Sequence, residues 1–172
     1  MYNNYKYAAR PNLRGEAKSI AQRGVAAIEF ALVFPVFFIL LYGIITYVLI
    51  FVAQQSLTLA AEEGARAALR YTSTGSPTDP ARGTAACNTV TPLVSWLGSA
   101  ICSSPPAKCP TTGPCVQVTY LATCFTGSSA QCITVNVTYP YGTQPLVPLL
   151  GGALMSVAVP TKLGGSATVQ ID

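Results

Sequence analysis

The sequence predicts an α+β protein in which a long N-terminal transmembrane helix extends into a small, disulfide-stabilised head with a short antiparallel sheet. Three observations predict it. From Phe30 to Ala53 there is no charged side chain. All six cysteines lie beyond that run. Between Val116 and Tyr139, two segments alternate apolar and polar residues, the period of a half-buried strand.

The helix comes first. At about 1.5 Å per residue, Phe30 to Ala53 reaches about 36 Å, enough for a tilted crossing of a bilayer core. Pro35 and Gly43 are soft points within it. Beyond Ala53 the residues remain good helix formers, and Glu62→Arg66 has the spacing of a favourable i,i+4 pair, so the helix is expected to continue to about Arg70. Residues 1–24 carry Lys6, Arg10, Arg14, Lys18 and Arg23 against the single acid Glu16. That segment accounts for the net charge of +4. The remainder balances, which argues against a nucleic-acid partner. Close behind the helix only Arg66 and Arg70 appear, offset by Glu62 and Glu63. The positive-inside rule therefore puts the N-terminus in the cytoplasm and the rest outside, with membrane lipid around the helix.

Glu29 needs a separate explanation, because a carboxylate well inside hydrocarbon costs about 3 kcal/mol. Two arrangements satisfy it. It lies at headgroup depth, where the helix N-terminus favours an anion. Alternatively the chain is cut at Gly24–Val25, and Glu29 faces a new α-amine. The second is favoured by the order of the parts. An ordinary secretory signal has about 7–15 apolar residues followed by its cleavage site, whereas here Gly24 precedes a much longer run.

Arg23-Gly24-Val25-Ala26-Ala27-Ile28-Glu29-Phe30 resembles the class III signal of type IV prepilins. In that likeness Gly24 precedes the cut, Val25 becomes the N-terminus, Glu29 stands fifth and Phe30 is an aromatic sixth. Gln54 to Ala68, containing AAEEGAR, resembles the corresponding stretch of TadE-like proteins, minor pilins or pseudopilins of the tight adherence (Tad/Flp) pilus. TadF relatives share this architecture. The clear resemblance runs from Arg23 to Tyr71.

It implies a bacterial inner-membrane precursor, a prepilin peptidase, an assembly platform and ATPase, and other pilin or pseudopilin subunits as partners. It further implies that Glu29 neutralises an α-amine inside a helix bundle and so fixes register. The alternative is an uncleaved, single-pass envelope protein whose exported domain binds a partner. Ala60, Gly64 and Ala68, four apart and flanked by Ala61 and Ala65, form a small-residue stripe suited to close helix–helix contact. Its partner is either another subunit or the chain's own head, and the sequence leaves both open.

The head is expected at residues 87–172, after a linker at 71–86 that is rich in Gly, Pro, Ser and Thr. Cys87, Cys102, Cys109, Cys115, Cys124 and Cys132, an even set in an exported region, read as disulfides of open connectivity. Cys124 and Cys132 flank Gly127-Ser128-Ser129 and suit a stapled hairpin. A metal site is not expected, since the chain has no His and no C-x2-C pair. Thr91-Pro92 offers a helix start, with Leu93, Val94, Leu97 and Ile101 at helical spacing.

Strands follow at Val116–Tyr120 and Ile133–Tyr139, the second ended by Pro140. Gln144 to Leu150 suggests a short helix or apolar loop. Ser156–Pro160 and Ser166–Ile171 suggest further strands separated by Gly164-Gly165. Asn136-Val137-Thr138 reads as ordinary strand despite its sequon. Without His, paired acids or a phosphate loop, neither an enzyme nor a cofactor is expected.

Overall fold

The computed structural model describes the backbone of residues 14–23 and all atoms of 24–70, 79–103, 109, 111–121, 123–124, 129–148 and 159–171. The chain divides into two compact units, Met1–Ile45 and Thr46–Asp172.

Helix α1 spans Arg14–Arg70 and passes through Pro35. It starts eleven residues before Val25, within the basic segment, and ends at Arg70 as the composition suggested. From Thr46 onward one face of it turns inward, while Val48, Phe51, Val52 and Leu59 stay exposed. Ala53, Leu57, Ala60, Ala61, Ala65 and Ala68 are buried and belong to the main core.

Helix α2 spans Pro80–Val94 and continues as one 3-10 turn, Ser95–Leu97. This corrects the sequence reading, which placed Pro80 to Ala86 in a linker and began the helix near Thr91. The start signal is Asp79-Pro80. The Asp79 carboxylate accepts from the Ala81 N–H at 2.9 Å, and Pro80 occupies the first turn, where its missing N–H costs nothing. The buried face is Gly83, Ala86, Cys87, Val90 and Val94, a helical period written mostly in small residues. The hydroxyls of Thr84, Thr89 and Thr91 donate back to carbonyls four residues earlier, so these poor helix formers are satisfied within the helix. Residues 71–78 of the expected linker lie outside the described residues.

Four strands follow: β1 Ile101–Ser103, β2 Cys115–Leu121, β3 Gln131–Tyr139 and β4 Leu163–Ile171, in the order β1-β2-β3-β4. The expected β2–β3 pair is present and antiparallel, with Val118 opposite Val135. The sheet is mixed, because β1 runs parallel to β2. Ile101, read as a helical position, sits in β1 instead. Gly164 and Gly165 lie inside β4, not before it. Gln144–Pro148 is in neither helix nor strand, as the loop alternative expects, and residues 149–150 lie outside the described ones. Of the expected strand Ser156–Pro160, residues 156–158 are outside the description, and Val159 and Pro160 are not in a strand.

One face of the sheet is apolar: Val116, Val118, Ile133, Val135 and Val137 are all buried. It packs on the distal part of α1 and on α2. A Cβ at Gly64 would lie 2.5 Å from Val90 Cγ2 and 3.3 Å from Val135 Cγ1, so helix, helix and sheet meet there. A Cβ at Gly165 would lie 2.5 Å from Thr58 Cα. At both places glycine is what permits the approach. The two helices run antiparallel. Arg82 reaches the Ala68 carbonyl at 3.1 Å, while Ser56 donates to the Leu93 carbonyl at 3.3 Å and accepts from Trp96 Nε1 at 3.1 Å.

The disulfides join Cys87–Cys102, Cys109–Cys115 and Cys124–Cys132, leaving no free cysteine. The last is the expected hairpin staple, with Cα atoms 5.2 Å apart. Cys87–Cys102 ties α2 to β1 and compensates for an edge strand of only three residues.

Candidate functional site

The candidate site is the apolar segment of α1 that begins at Gly24. Gly24 and Val25 are in helical backbone. A Cβ on Gly24 would meet nothing within 4 Å, and Val25 is 68% exposed. Glu29 is also exposed. Val25 and Glu29 are four residues apart, so they lie one turn apart on the same helix face. An amine at Val25 and the Glu29 carboxylate would therefore be neighbours along the helix.

Immediately after Glu29, Phe30, Phe34, Phe38 and Tyr42 line one stripe at four-residue intervals. Their ring centroids are 5.3, 6.2 and 6.5 Å apart in succession. Large apolar side chains from Val25 to Leu41 are exposed on every face of the helix. A surface of that kind needs lipid or other helices around it. Gly24–Arg70 is long and apolar enough to cross a membrane. It is the one such helix among the described residues.

The small-residue stripe has a different environment. Ala60 and Ala68 have no exposed surface, and Gly64 is buried against Val90 and the Ala86 carbonyl. The helix that approaches the stripe is thus α2 of the same chain. The expected Glu62–Arg66 pair is not the one formed: Arg66 Nη1 lies 2.9 Å from Glu63 Oε1, an i,i+3 contact, while Glu62 faces solvent. Exposure of both partners keeps this ion pair to a few tenths of a kcal/mol, about 0.2–0.5.

The TadE-like protein family model matches residues 24–66. This segment is TadE-like. The TadE-like match opens at Gly24 and takes in Val25, Glu29, the aromatic stripe, Ala60 and Gly64. It stops before Ala68 and before every cysteine, so it covers a quarter of the chain and none of the sheet. No curated protein and no solved structure matches the chain.

Two contacts that seat the part of α1 beyond Thr46 in the head lie outside what the sequence reading anticipated. Gln54 Nε2 donates to the Gly164 carbonyl at 2.7 Å, and its Oε1 accepts from the Gly164 N–H at 3.3 Å. The side-chain amide thus pairs with β4 much as a neighbouring strand would, at the first polar residue after the charge-free run. Arg82, on α2, donates to the Ala68 carbonyl near the α1 C-terminus, where the helix dipole favours a cation. Gln54 was legible only as the first residue of the stretch that contains AAEEGAR, and nothing local to it announces a partner 110 residues away. Among the described residues, no group of three His, Cys, Asp or Glu is placed to hold a metal ion.

Proposed function

We propose that this protein is a minor pilin or pseudopilin of a Tad/Flp-type pilus assembly system. The TadE-like match over residues 24–66, which begins at the proposed cut, carries the reading. Prepilin peptidase cleaves Gly24–Val25 on the cytoplasmic side of the inner membrane. An assembly platform and its ATPase then extract the subunit. The exposed apolar surface of α1 exchanges lipid for the helices of other subunits, with the head outside the membrane.

Glu29 has a physical task in this scheme. Buried in a helix bundle, an unpaired carboxylate or an unpaired α-amine is strongly unfavourable, so each is drawn to the other. Pairing across subunits sets one helix against the next at a fixed height. Its position one turn from Val25 supports this reading and equally allows the pair to form within one chain.

The test is N-terminal sequencing and intact mass of the membrane-extracted protein with and without prepilin peptidase. A start at Val25 that requires the peptidase is the expected result. A start at Met1 under both conditions would replace the reading with that of an uncleaved membrane-anchored envelope protein. Glu29→Gln is expected to leave insertion intact and abolish co-purification with partner subunits.

A further inference from the structure

The head carries a groove of about 620 Å³ that the role of α1 does not use. This is within the range of small-molecule sites, about 300–1,000 Å³. Loops from three parts of the chain build it and are tied to one another. The Gly113 N–H donates to Gln144 Oε1 at 2.7 Å, Thr143 donates to the Thr111 carbonyl at 2.9 Å, and the Gly142 N–H donates to the Thr161 carbonyl at 2.8 Å. The Tyr139 hydroxyl donates to the Gln144 carbonyl at 2.8 Å, and the Cys109–Cys115 disulfide forms part of the wall. Such cross-bracing ties these segments to one another, which lowers the ordering cost of binding.

Its lining has a definite chemistry. Thr111, Thr138 and Thr161 supply hydroxyls, Thr143 an acceptor oxygen whose proton is already donated within the wall, Gln117 an amide and Lys162 an ammonium. No carboxylate is present among the described lining residues. Lys162 is exposed and makes no ion pair among the described residues. It stands out in a head whose other described basic residue, Arg82, is committed to the Ala68 carbonyl. Hydroxyls and amides both donate and accept, which suits a polyol, and one ammonium suits one carboxylate. The disulfide and Pro140 add apolar surface for the face of a ring. A polyphosphate would call for several cations or a run of free backbone N–H groups, and a purely apolar ligand would strand the hydroxyls unpaired.

We propose that this groove binds an acidic saccharide, a hydroxylated ring bearing one carboxylate, with Lys162 pairing the carboxylate and the threonine hydroxyls reading the ring. Two sources share this chemistry, a polyuronate of secreted polysaccharide and a terminal sialic-type acid on a surface glycan. The inference is independent of how α1 is processed.

The experiment is saturation-transfer NMR and calorimetry on the full chain in detergent micelles. The probes are a trigalacturonate, sialyllactose, and neutral lactose as reference. Binding of either acidic probe, weakened about five- to tenfold by Lys162→Gln and absent or much weaker for lactose, is the expected result. Whichever acidic probe binds identifies the source. Thr138→Val, which removes one hydroxyl from the wall and leaves Lys162 in place, should weaken binding without moving the melting temperature. No binding of either acidic probe at millimolar concentration overturns the proposal. So does binding that Lys162→Gln leaves unchanged.

Discussion

Gly165→Ala adds one methyl group at the point where β4 crosses α1. The new Cβ would sit 2.5 Å from Thr58 Cα, 2.6 Å from the Leu57 carbonyl oxygen and 2.7 Å from Thr58 N. Ordinary carbon contacts are about 3.5–4.0 Å, so the overlap is about 1 Å. All three atoms are backbone in the interior of a helix and cannot rotate aside. The strand must therefore lift off the helix. Overpacking of this kind costs about 1–3 kcal/mol, and a rigid backbone target puts the site in the upper half of that range. The opposing effect is smaller: losing a glycine restricts the unfolded chain and stabilises by about 0.4–1 kcal/mol.

The net expectation is a loss of about 2 kcal/mol. For a unit of this size, between the small- and large-domain regimes, that lowers the melting temperature by about 4–16 °C. The assay is near-UV circular dichroism of the oxidised full chain in detergent, reporting the packing of Trp96 and the head tyrosines. Ser166→Ala, one residue on and exposed, is the control and should stay within about 0.5 kcal/mol. If Gly165→Ala melts with the control, β4 is not seated on Thr58 and the account of the core is wrong.

Gln54→Leu removes both hydrogen bonds to Gly164 and leaves a partly buried N–H and carbonyl on β4 without that partner. It should destabilise the head by about 1–3 kcal/mol and speed amide exchange at Gly164 relative to Val169, read by hydrogen–deuterium exchange. Burial raises the pKa of Tyr139 above its ordinary value of 10.0. The folded state then holds this proton more tightly than the unfolded state. The associated stability is present below about pH 10 and is lost as pH rises through the folded pKa. Denaturant midpoints measured from pH 9 to 11 should fall less steeply in Tyr139→Phe than in the parent chain, and equal slopes would contradict this.

Periodicity and charge made part of this molecule legible. The run from Phe30 to Ala53 was legible as one helix because no charge interrupts it, but its far end, with Ile50 and Ala53, belongs to the core of the head. The β2–β3 pair was readable because alternate positions differ sharply, as in Ile133-Thr134-Val135-Asn136-Val137. The hairpin staple followed from two cysteines close to one turn. Helix α2 was misread because its buried face is built from Gly83, Ala86 and Cys87, residues too small to register as an apolar stripe. Asp79-Pro80 was a sufficient start signal, hidden in a stretch whose composition suggests loop. Gly164-Gly165 reads in the sequence as a break between strands for a related reason. Glycine usually marks a turn, but here it marks where a strand touches a helix backbone. The groove depends on loops brought together from distant parts of the chain, and no local pattern predicts such a meeting.

The bond between Gln54 and Gly164 closes a span of 110 residues, whereas the disulfides bridge 15, 6 and 8. Covalent closure in the head is therefore local, and each cross-link can form before the distant strand arrives. The seating of β4 on α1 is long-range and rests on packing and hydrogen bonds alone. Until that strand docks, Leu57 and Gly165 lack each other, and oxidation of every cysteine does not certify a finished fold. Maturation of this chain thus has two separable requirements, local oxidation within the head and long-range seating of β4 on α1.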